Sequence, residues 1–195
     1  MDTAIFLEIM SVQRHDFLNH LQVISGLIQL NKVDRVREYI NQVSLEVERL
    51  SKVGHLLVPE VSASLLVGHF IAGKHQVEVI YEIDTNLDAC AVPGKILAEV
   101  VEEVFDQSLE CLVPPGVSNR TLKICLTETE KKYLFRVFSP DPSHREVESV
   151  HSRLTLIGNK LTPYGGKVGI VVTGGGGEIF VVFPRNLPDQ HNIRA

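Results

Sequence analysis

The sequence predicts an α+β fold that begins with a helical hairpin. Apolar residues recur at helical spacing from Ile5 through Leu30 and again along a second run that ends at Leu50. Beyond Pro59, helical segments alternate with short runs that fit β-strands. A chain of 195 residues is long enough for a helical module and a second module with its own core. We therefore expect a helical hairpin at residues 1–58 and an α+β domain at residues 59–195.

The two N-terminal helices predict a dimer. A short polar break, Asn31–Asp34, separates them, and Gly54 with Pro59 marks the end of the second. The second helix has a heptad-like apolar seam, formed by Val36, Ile40, Val43, Val47 and Leu50. The first helix carries more apolar surface than one partner helix can cover. Pairing of two hairpins into a homodimeric four-helix bundle would bury it.

The remainder of the chain predicts an α+β sandwich. The predicted helices are Ser62–Ala72, Pro93–Leu112 and Val147–Leu161, and the predicted strands are Val77–Ile83, Thr121–Thr127, Tyr133–Phe138, Lys167–Val172 and Glu178–Phe183. The run Gly174–Gly177 lacks the lysine and the serine or threonine of a P-loop and lies between two strands. We expect a flexible hairpin turn there rather than a phosphate cradle.

Composition disfavours several classes of function. The net charge is -5 and the isoelectric point is about 5.9, without a long basic run, so we expect no nucleic-acid binding. No apolar stretch approaches the roughly 18 residues of a membrane span, and no signal peptide is apparent, which predicts a cytoplasmic chain without membrane partners. Three widely spaced cysteines without a Cys-x-x-Cys pair predict reduced structural thiols and no metal site.

An Arg-His-Asp triplet, Arg14-His15-Asp16, lies within the first predicted helix and supplies a candidate nucleophile. A helical wheel places His15 in a polar stripe with Asn19 and Gln22, so its ring should point outward. A neutral imidazole has a free nitrogen lone pair and can accept a phosphoryl group. A lone exposed histidine is more often simply solvated, but the triplet favours chemistry. His20 falls toward the apolar side and should be a hydrogen-bonded structural histidine.

The run Arg14-His15-Asp16-Phe17-Leu18-Asn19-His20-Leu21-Gln22-Val23-Ile24, followed by Gly26-Leu27, resembles the phosphoacceptor helix of two related groups. One is the sporulation initiation phosphotransferase B family, and the other is the cytoplasmic part of citrate- and malate-type sensor histidine kinases. In both groups the next domain resembles the ATP-binding domain of histidine kinases. The resemblance implies that the C-terminal domain is a histidine-kinase-ATPase-like α/β sandwich, and the predicted order of elements fits it.

The second domain departs from a working kinase at three places. A kinase helix close to Asn-Leu-x-Asp-Asn-Ala-x-Glu-Ala corresponds to Glu103–Cys111, where both asparagines are missing. The Asp-x-Gly-x-Gly turn corresponds to Ser139–Pro142, and the glycine-rich lid to Val150–Leu156, whereas a family-like Gly165-Gly166-Lys167 is kept. Glu103 would face the triphosphate with like charge. We expect a degenerate domain whose ATP site is lost, and no cofactor in this chain.

The resemblance implies a histidine phosphotransferase that relays a phosphoryl group between the receiver aspartates of response regulators in a sporulation-type phosphorelay, without ATP. His15 would be the covalent relay, and Mg²⁺ would be held by the receiver. Arg14 would attract the phosphate, Asp16 would orient the ring, Asn19 and Gln22 would face the partner, and Leu18 would be an apolar docking contact. Simple solvation of Arg14, Asp16 and Asn19 stays open.

Two alternatives also stay open. One is a divergent ATP-dependent sensor kinase core; we expect no sensor or transmembrane segment before Met1, which counts against a complete receptor kinase. The other is a non-catalytic scaffold that binds a receiver or a kinase and keeps His15 only by descent.

Overall fold

The computed structural model describes residues 3–114, 116–140, 147–173 and 176–186. The chain divides into two compact units, Met1–Lys52 and Val53–Ala195. The division comes earlier than the expected 58/59 boundary because the end of the second helix joins the second unit. Val53 is fully buried, and the backbone N–H of Leu57 donates to the carbonyl of Asn86 over 2.7 Å.

The first unit is an antiparallel helical hairpin, made of α1 (Thr3–Gln29) and most of α2 (Val33–Gly54). Asn31 has φ 55°, a left-handed conformation that asparagine tolerates, and it ends α1. The backbone N–H of Lys32 donates to Leu27 and that of Asn31 to Ile28, which satisfies two carbonyls at the helix end. None of the described helices has the length and apolar character of a membrane span.

The predicted seam of α2 divides between two faces. Val36, Val43 and Leu50 are half-buried, whereas Ile40 and Val47 are 43% and 61% exposed in the single chain. The spacing of seven residues that links the first three places them on the side of α2 nearest to α1. The other two seam positions therefore stay uncovered within one hairpin.

The second unit contains every helix and strand that the sequence predicts for it. The helices are α3 (Pro59–Lys74), α4 (Gly94–Glu110) and α5 (Val147–Leu161), and the strands are β1 (Glu78–Ile83), β2 (Thr121–Glu128), β3 (Lys132–Ser139), β4 (Lys167–Thr173) and β5 (Gly176–Pro184). A short 3-10 helix, Thr162–Tyr164, follows α5. The expectation of a turn over Gly174–Gly177 needs a correction, because Gly176 and Gly177 belong to β5; residues 174–175 lie outside the described residues.

The five strands form one mixed sheet in the order β1-β2-β3-β5-β4. The β1–β2 pair is parallel because α4 crosses between them, and the other pairs are antiparallel. Alternate residues of β1, β2, β3 and β5 enter the core, among them Leu122, Ile124, Tyr133, Phe135 and Val181, and the helices supply Leu65, Leu97 and Phe105. The fold is α+β: a helical N-terminal region followed by a sheet packed against helices.

Candidate active site

His15 lies on α1 with 72% of its side chain exposed, as the helical wheel predicts. The amide Nδ2 of Asn19 is 3.1 Å from the imidazole Nδ1, and the carboxylate Oδ1 of Asp16 is 3.5 Å from the same nitrogen. Asn19 reaches the ring because residues four apart on a helix are neighbours on its surface. Both polar neighbours therefore engage Nδ1 and leave the other ring nitrogen, Nε2, toward solvent.

The two neighbours suit different tautomers of the imidazole. The Asn19 amide donates to Nδ1 when the ring proton is on Nε2. The Asp16 carboxylate accepts from Nδ1 when the ring proton is there, and that tautomer frees the Nε2 lone pair. An exposed ring with both partners at hand can supply Nε2 as a nucleophile and keep its proton on Nδ1.

The other residues expected at this site line the same part of α1. Leu18, Asn19 and Gln22 follow His15 by three, four and seven positions, so they lie on one side of the helix with it, and all three are exposed. Arg14 is also exposed. Phe17 is 62% exposed in the single chain. His15 is thus surrounded by accessible polar and apolar side chains.

In the second unit, an ion-pair cluster occupies the place that the resemblance assigns to ATP. Glu103 Oε1 lies 2.9 Å from an Nη of Arg153 on α5 and accepts a hydrogen bond of 3.1 Å from Gln107 Nε2. Arg153 also lies 3.5 Å from Glu110 Oε1. The Glu103 carboxylate does not fit a nucleoside triphosphate, because it would repel phosphate where the kinase motif has a neutral amide, and Arg153 already pairs with it.

Local electrostatics agree with a crowded acidic surface on α4. Burial raises the pKa of the Asp106 carboxyl, and the nearby charges of Glu102, Glu103 and Glu110 raise it further, while Arg153 opposes them. Sequence reasoning did not identify Arg153. The acidic residues at helical spacing along α4 were the available signal, since such a face needs a basic partner from the helix packed against it.

The other two departures from the kinase pattern also have structural consequences. The segment Val150–Leu156, expected at the place of the lid, is part of α5 itself. Ser139 ends β3, whereas Asp141 and Pro142 lie outside the described residues. The retained glycines have a local reason: Gly165 has φ 75° in the turn after α5, and a Cβ on Gly166 would lie 2.9 Å from the Cβ of Leu161.

Within the described part of the chain, no cluster of three or more histidine, cysteine or acidic side chains is arranged to hold a metal ion. The thiols of Cys90 and Cys125 are held in their protonated form. Burial raises the pKa of Cys125 to about 11, with a further contribution from its hydrogen bond to Glu82, and burial also raises the pKa of Cys90. A neutral thiol is a poor nucleophile and a poor metal ligand.

Comparison with known sequences finds a family model that matches the hairpin. The family model described as "Sensor_kinase_SpoOB-type, alpha-helical domain" matches residues 1–56. The chain is 29% identical over 107 residues to sporulation initiation phosphotransferase B of Bacillus subtilis, and the match covers 53% of this chain and 55% of that protein. It is 30% identical over 136 residues to a probable C4-dicarboxylate sensor kinase of Halalkalibacterium halodurans, covering 68% of this chain and 26% of the kinase. The chain thus spans about half of the first relative and a quarter of the second.

Solved structures confirm the fold of the second unit. The catalytic domain of histidine kinase ThkA, in a nucleotide-free form, superposes with a TM-score of 0.53 and 14% identity, covering 67% of this chain and 94% of that domain. Histidine kinase ThkA in complex with response regulator protein TrrA gives a TM-score of 0.55 with 16% identity, over 94% of this chain and 63% of the kinase.

The predicted resemblance is therefore confirmed: residues 1–56 match the model of the SpoOB-type alpha-helical domain of sensor kinases, and the chain is similar to sporulation initiation phosphotransferase B and to a probable C4-dicarboxylate sensor kinase.

Proposed function

We propose that this chain is a histidine phosphotransferase that passes a phosphoryl group between response-regulator aspartates through His15. The observation that supports this most is the exposed His15 ring, with Asn19 and Asp16 at Nδ1, within a SpoOB-type helical domain. Receiver domains of response regulators would be the donor and the acceptor. Arg14, Leu18 and Gln22 would contact them.

The transfer would proceed in two displacements. In the first, the Nε2 lone pair attacks the phosphorus of a receiver aspartyl phosphate, an N–P bond forms, and the P–O bond to the aspartate breaks, which releases its carboxylate. The proton on Nδ1 stays on the ring, and the Asp16 carboxylate stabilises the resulting positive charge. In the second, an aspartate of another receiver attacks the phosphorus and the imidazole leaves. Magnesium held by the receiver would neutralise phosphate charge.

The test is a phosphotransfer assay without ATP. A receiver phosphorylated with radiolabelled acetyl phosphate is mixed with the full chain, and we expect acid-labile, base-stable label on the chain. His15→Gln should abolish labelling while the circular dichroism spectrum is kept, because the polar contacts of the ring with described residues are to Asn19 and Asp16 of its own helix.

His20→Gln is the matched control on the same helix. It loses the hydrogen bond between His20 Nδ1 and the Tyr39 hydroxyl, which measures 2.9 Å, and should cost about 1 kcal/mol of stability but keep the label. Label that survives in His15→Gln, or that moves to His20, would refute the assignment of the nucleophile. Absence of transfer from several receivers would favour the scaffold.

The relatives that are sensor kinases favour a divergent kinase as the second candidate. Calorimetry with Mg-ATP distinguishes it from the phosphotransferase. We expect no saturable binding, because Glu103 presents a carboxylate where the kinases have an amide and its partner Arg153 is already engaged. Loss of a hydrogen-bonding group in a binding site costs about 1–3 kcal/mol, so several such losses weaken binding by orders of magnitude. A micromolar dissociation constant, with self-labelling of His15 from ATP, would establish the kinase instead.

A further inference from the structure

Strand β4 lies at one edge of the sheet and has an open backbone edge. It follows β5 in the strand order and has no neighbour on its other side within the described ranges 3–114, 116–140, 147–173 and 176–186. Its sequence, Lys-Val-Gly-Ile-Val-Val-Thr, contains no proline, and its single charged residue is Lys167 at the start. Proline and charges along a strand are the usual devices that prevent pairing with a foreign strand.

The opposite edge of the sheet shows the contrast. Strand β1 carries Glu78 at its start and Glu82 near its end, and the Glu82 carboxylate is 2.8 Å from Lys123 Nζ. By comparison, Val171 and Val172 of β4 are both close to half exposed. The open edge of β4 is therefore the less protected of the two.

A groove of about 270 Å³ runs between α5 and β4. Its floor is apolar, with Leu154, Val168 and Ile170, and its rim is polar, with Thr155 and Asn159. Gly158 keeps the groove open at its middle. A Cβ there would make an ordinary contact of 3.8 Å with Val168, so anything larger would project into the free space. A helix and an edge strand with a groove between them can receive alternate side chains of an added strand.

A positive charge lines the groove and indicates the kind of segment that it would bind. Lys167 is the one charged residue that lines it, no carboxylate does, and no carboxylate of the described residues pairs with Lys167. The other lysine nearby on α5, Lys160, is held by Glu99 at 2.6 Å. In a chain with a net charge of -5, this groove is locally positive and complements an acidic segment.

We propose that the α5–β4 groove binds an extended acidic peptide segment of a partner protein, which adds to β4 as a sixth strand. Main-chain hydrogen bonds to the edge of β4 provide affinity, apolar side chains enter the groove, and a carboxylate pairs with Lys167. This site is separate from the chemistry of His15, and its test does not depend on phosphotransfer.

The probe is a synthetic peptide matched to the 7-residue length of β4, with alternating valine and threonine and a glutamate at each end. Titration into the isotope-labelled full chain should give saturable shifts in amide resonances of β4 and α5. Two N-methylated versions of the peptide distinguish strand addition from binding that uses no main-chain hydrogen bonds. Methylation of the amides on one edge of the peptide should abolish binding, and methylation on the other edge should leave it intact, because only one edge pairs with β4.

Two variants test the groove itself. Gly158→Leu should lower the affinity for the peptide by about tenfold or more, because the leucine side chain fills the groove. Lys167→Glu should lower the affinity by up to about fivefold, as expected for loss of an exposed ion pair. Lys131→Glu, in the exposed β2–β3 turn, makes the same charge change elsewhere and should leave the affinity unchanged. Equal binding of a lysine-ended peptide, or shifts confined to residues outside β4 and α5, would overturn the proposal. If the β4 amide resonances broaden with protein concentration in the absence of peptide, the edge of β4 pairs with a second copy of the chain. That result would overturn the choice of an acidic peptide as the occupant.

Discussion

His15 and His20 lie on one helix, and their neighbours give the two imidazoles different environments. The ring of His20 contacts Tyr39 on the other helix of the hairpin, with a hydrogen bond of 2.9 Å and ring centroids 5.9 Å apart, so it is tied to the packing of the hairpin. Among the residues that the structure describes, the ring of His15 has polar contacts with Asp16 and Asn19 of its own helix. Exposure leaves His15 free for a partner, and this difference follows from their angular positions on α1.

Ionisation of the Asp106 carboxyl in the second unit opposes folding. Its raised pKa means that the folded chain holds the proton more tightly than the unfolded chain does. The free energy of unfolding should therefore fall as the pH rises from the ordinary value of 3.8 through the raised pKa. Asp106→Asn removes the charge and should stabilise the protein at neutral pH.

The gain should disappear at a pH below 3.8, where Asp106 is protonated in both states. Urea unfolding of the parent and of Asp106→Asn at neutral and acidic pH measures this gain in the free energy of unfolding. Glu130→Gln, in the exposed β2–β3 turn, is the control and should unfold like the parent. A gain that persists unchanged at acidic pH would show that the cause is something other than this ionisation.

At the scale of helices and strands, the sequence predicts which elements form but not which side chains of one element contact another element. Period-two alternation identifies β2 and β3, and glycine and proline mark the ends of α2 and the start of α3. The seam of α2 has one helical period, which does not reveal that Val43 faces α1 while Val47 stays exposed. Likewise, no local signal places Gly177 in β5 or brings Arg153 to Glu103. Gly177 pairs with Ser139 of β3, and Arg153 lies on a different helix from Glu103, so both depend on contacts between distant segments.

Close packing between α3 and α4 depends on Gly68. A Cβ at this position would lie 3.0 Å from three atoms of the buried Phe105 ring, including Cγ at its base, so the ring cannot swing aside. Alanine favours a helix over glycine by about 1 kcal/mol, but overpacking a core costs about 1–3 kcal/mol. Gly68→Ala should therefore be neutral to destabilising, by up to about 2 kcal/mol.

Gly73 of the same helix is the matched control for Gly68. Nothing lies within 4 Å of a Cβ added there, so Gly73→Ala should stabilise the protein by roughly 0.5–1 kcal/mol through helix preference alone. Thermal unfolding of the two variants against the parent measures the difference. A Gly68→Ala variant as stable as Gly73→Ala would show that α3 and α4 do not pack as tightly as the structure has them.

For the whole molecule, the two units differ in how much they bury. Among the described side chains of residues 7–52 none is fully buried, whereas the second unit has a core in which Leu65, Tyr133 and Val181 are inaccessible. The apolar side chains that a single hairpin leaves exposed include Met10, Phe17, Leu21, Ile28, Ile40 and Val47. A hairpin of this kind is not stable in water without a further apolar partner.

We therefore expect two copies of the chain to associate through their hairpins in a four-helix bundle. Light scattering at micromolar concentration should give twice the mass of one chain. Ile40→Glu combined with Val47→Glu places two charges in that bundle and should reduce the measured mass to that of a monomer. The second unit should keep its own cooperative unfolding, because its core contains neither residue.

The matched control is Asn41→Glu combined with Gln42→Glu, which adds the same two charges to α2 at exposed polar positions. This variant should stay dimeric, since positions 41 and 42 lie away from the seam. A dimer that survives charges at Ile40 and Val47 would move the interface off this face of α2. An unmodified chain that is monomeric at micromolar concentration would contradict the bundle altogether, and the apolar surface of α1 would then have to be covered by another protein.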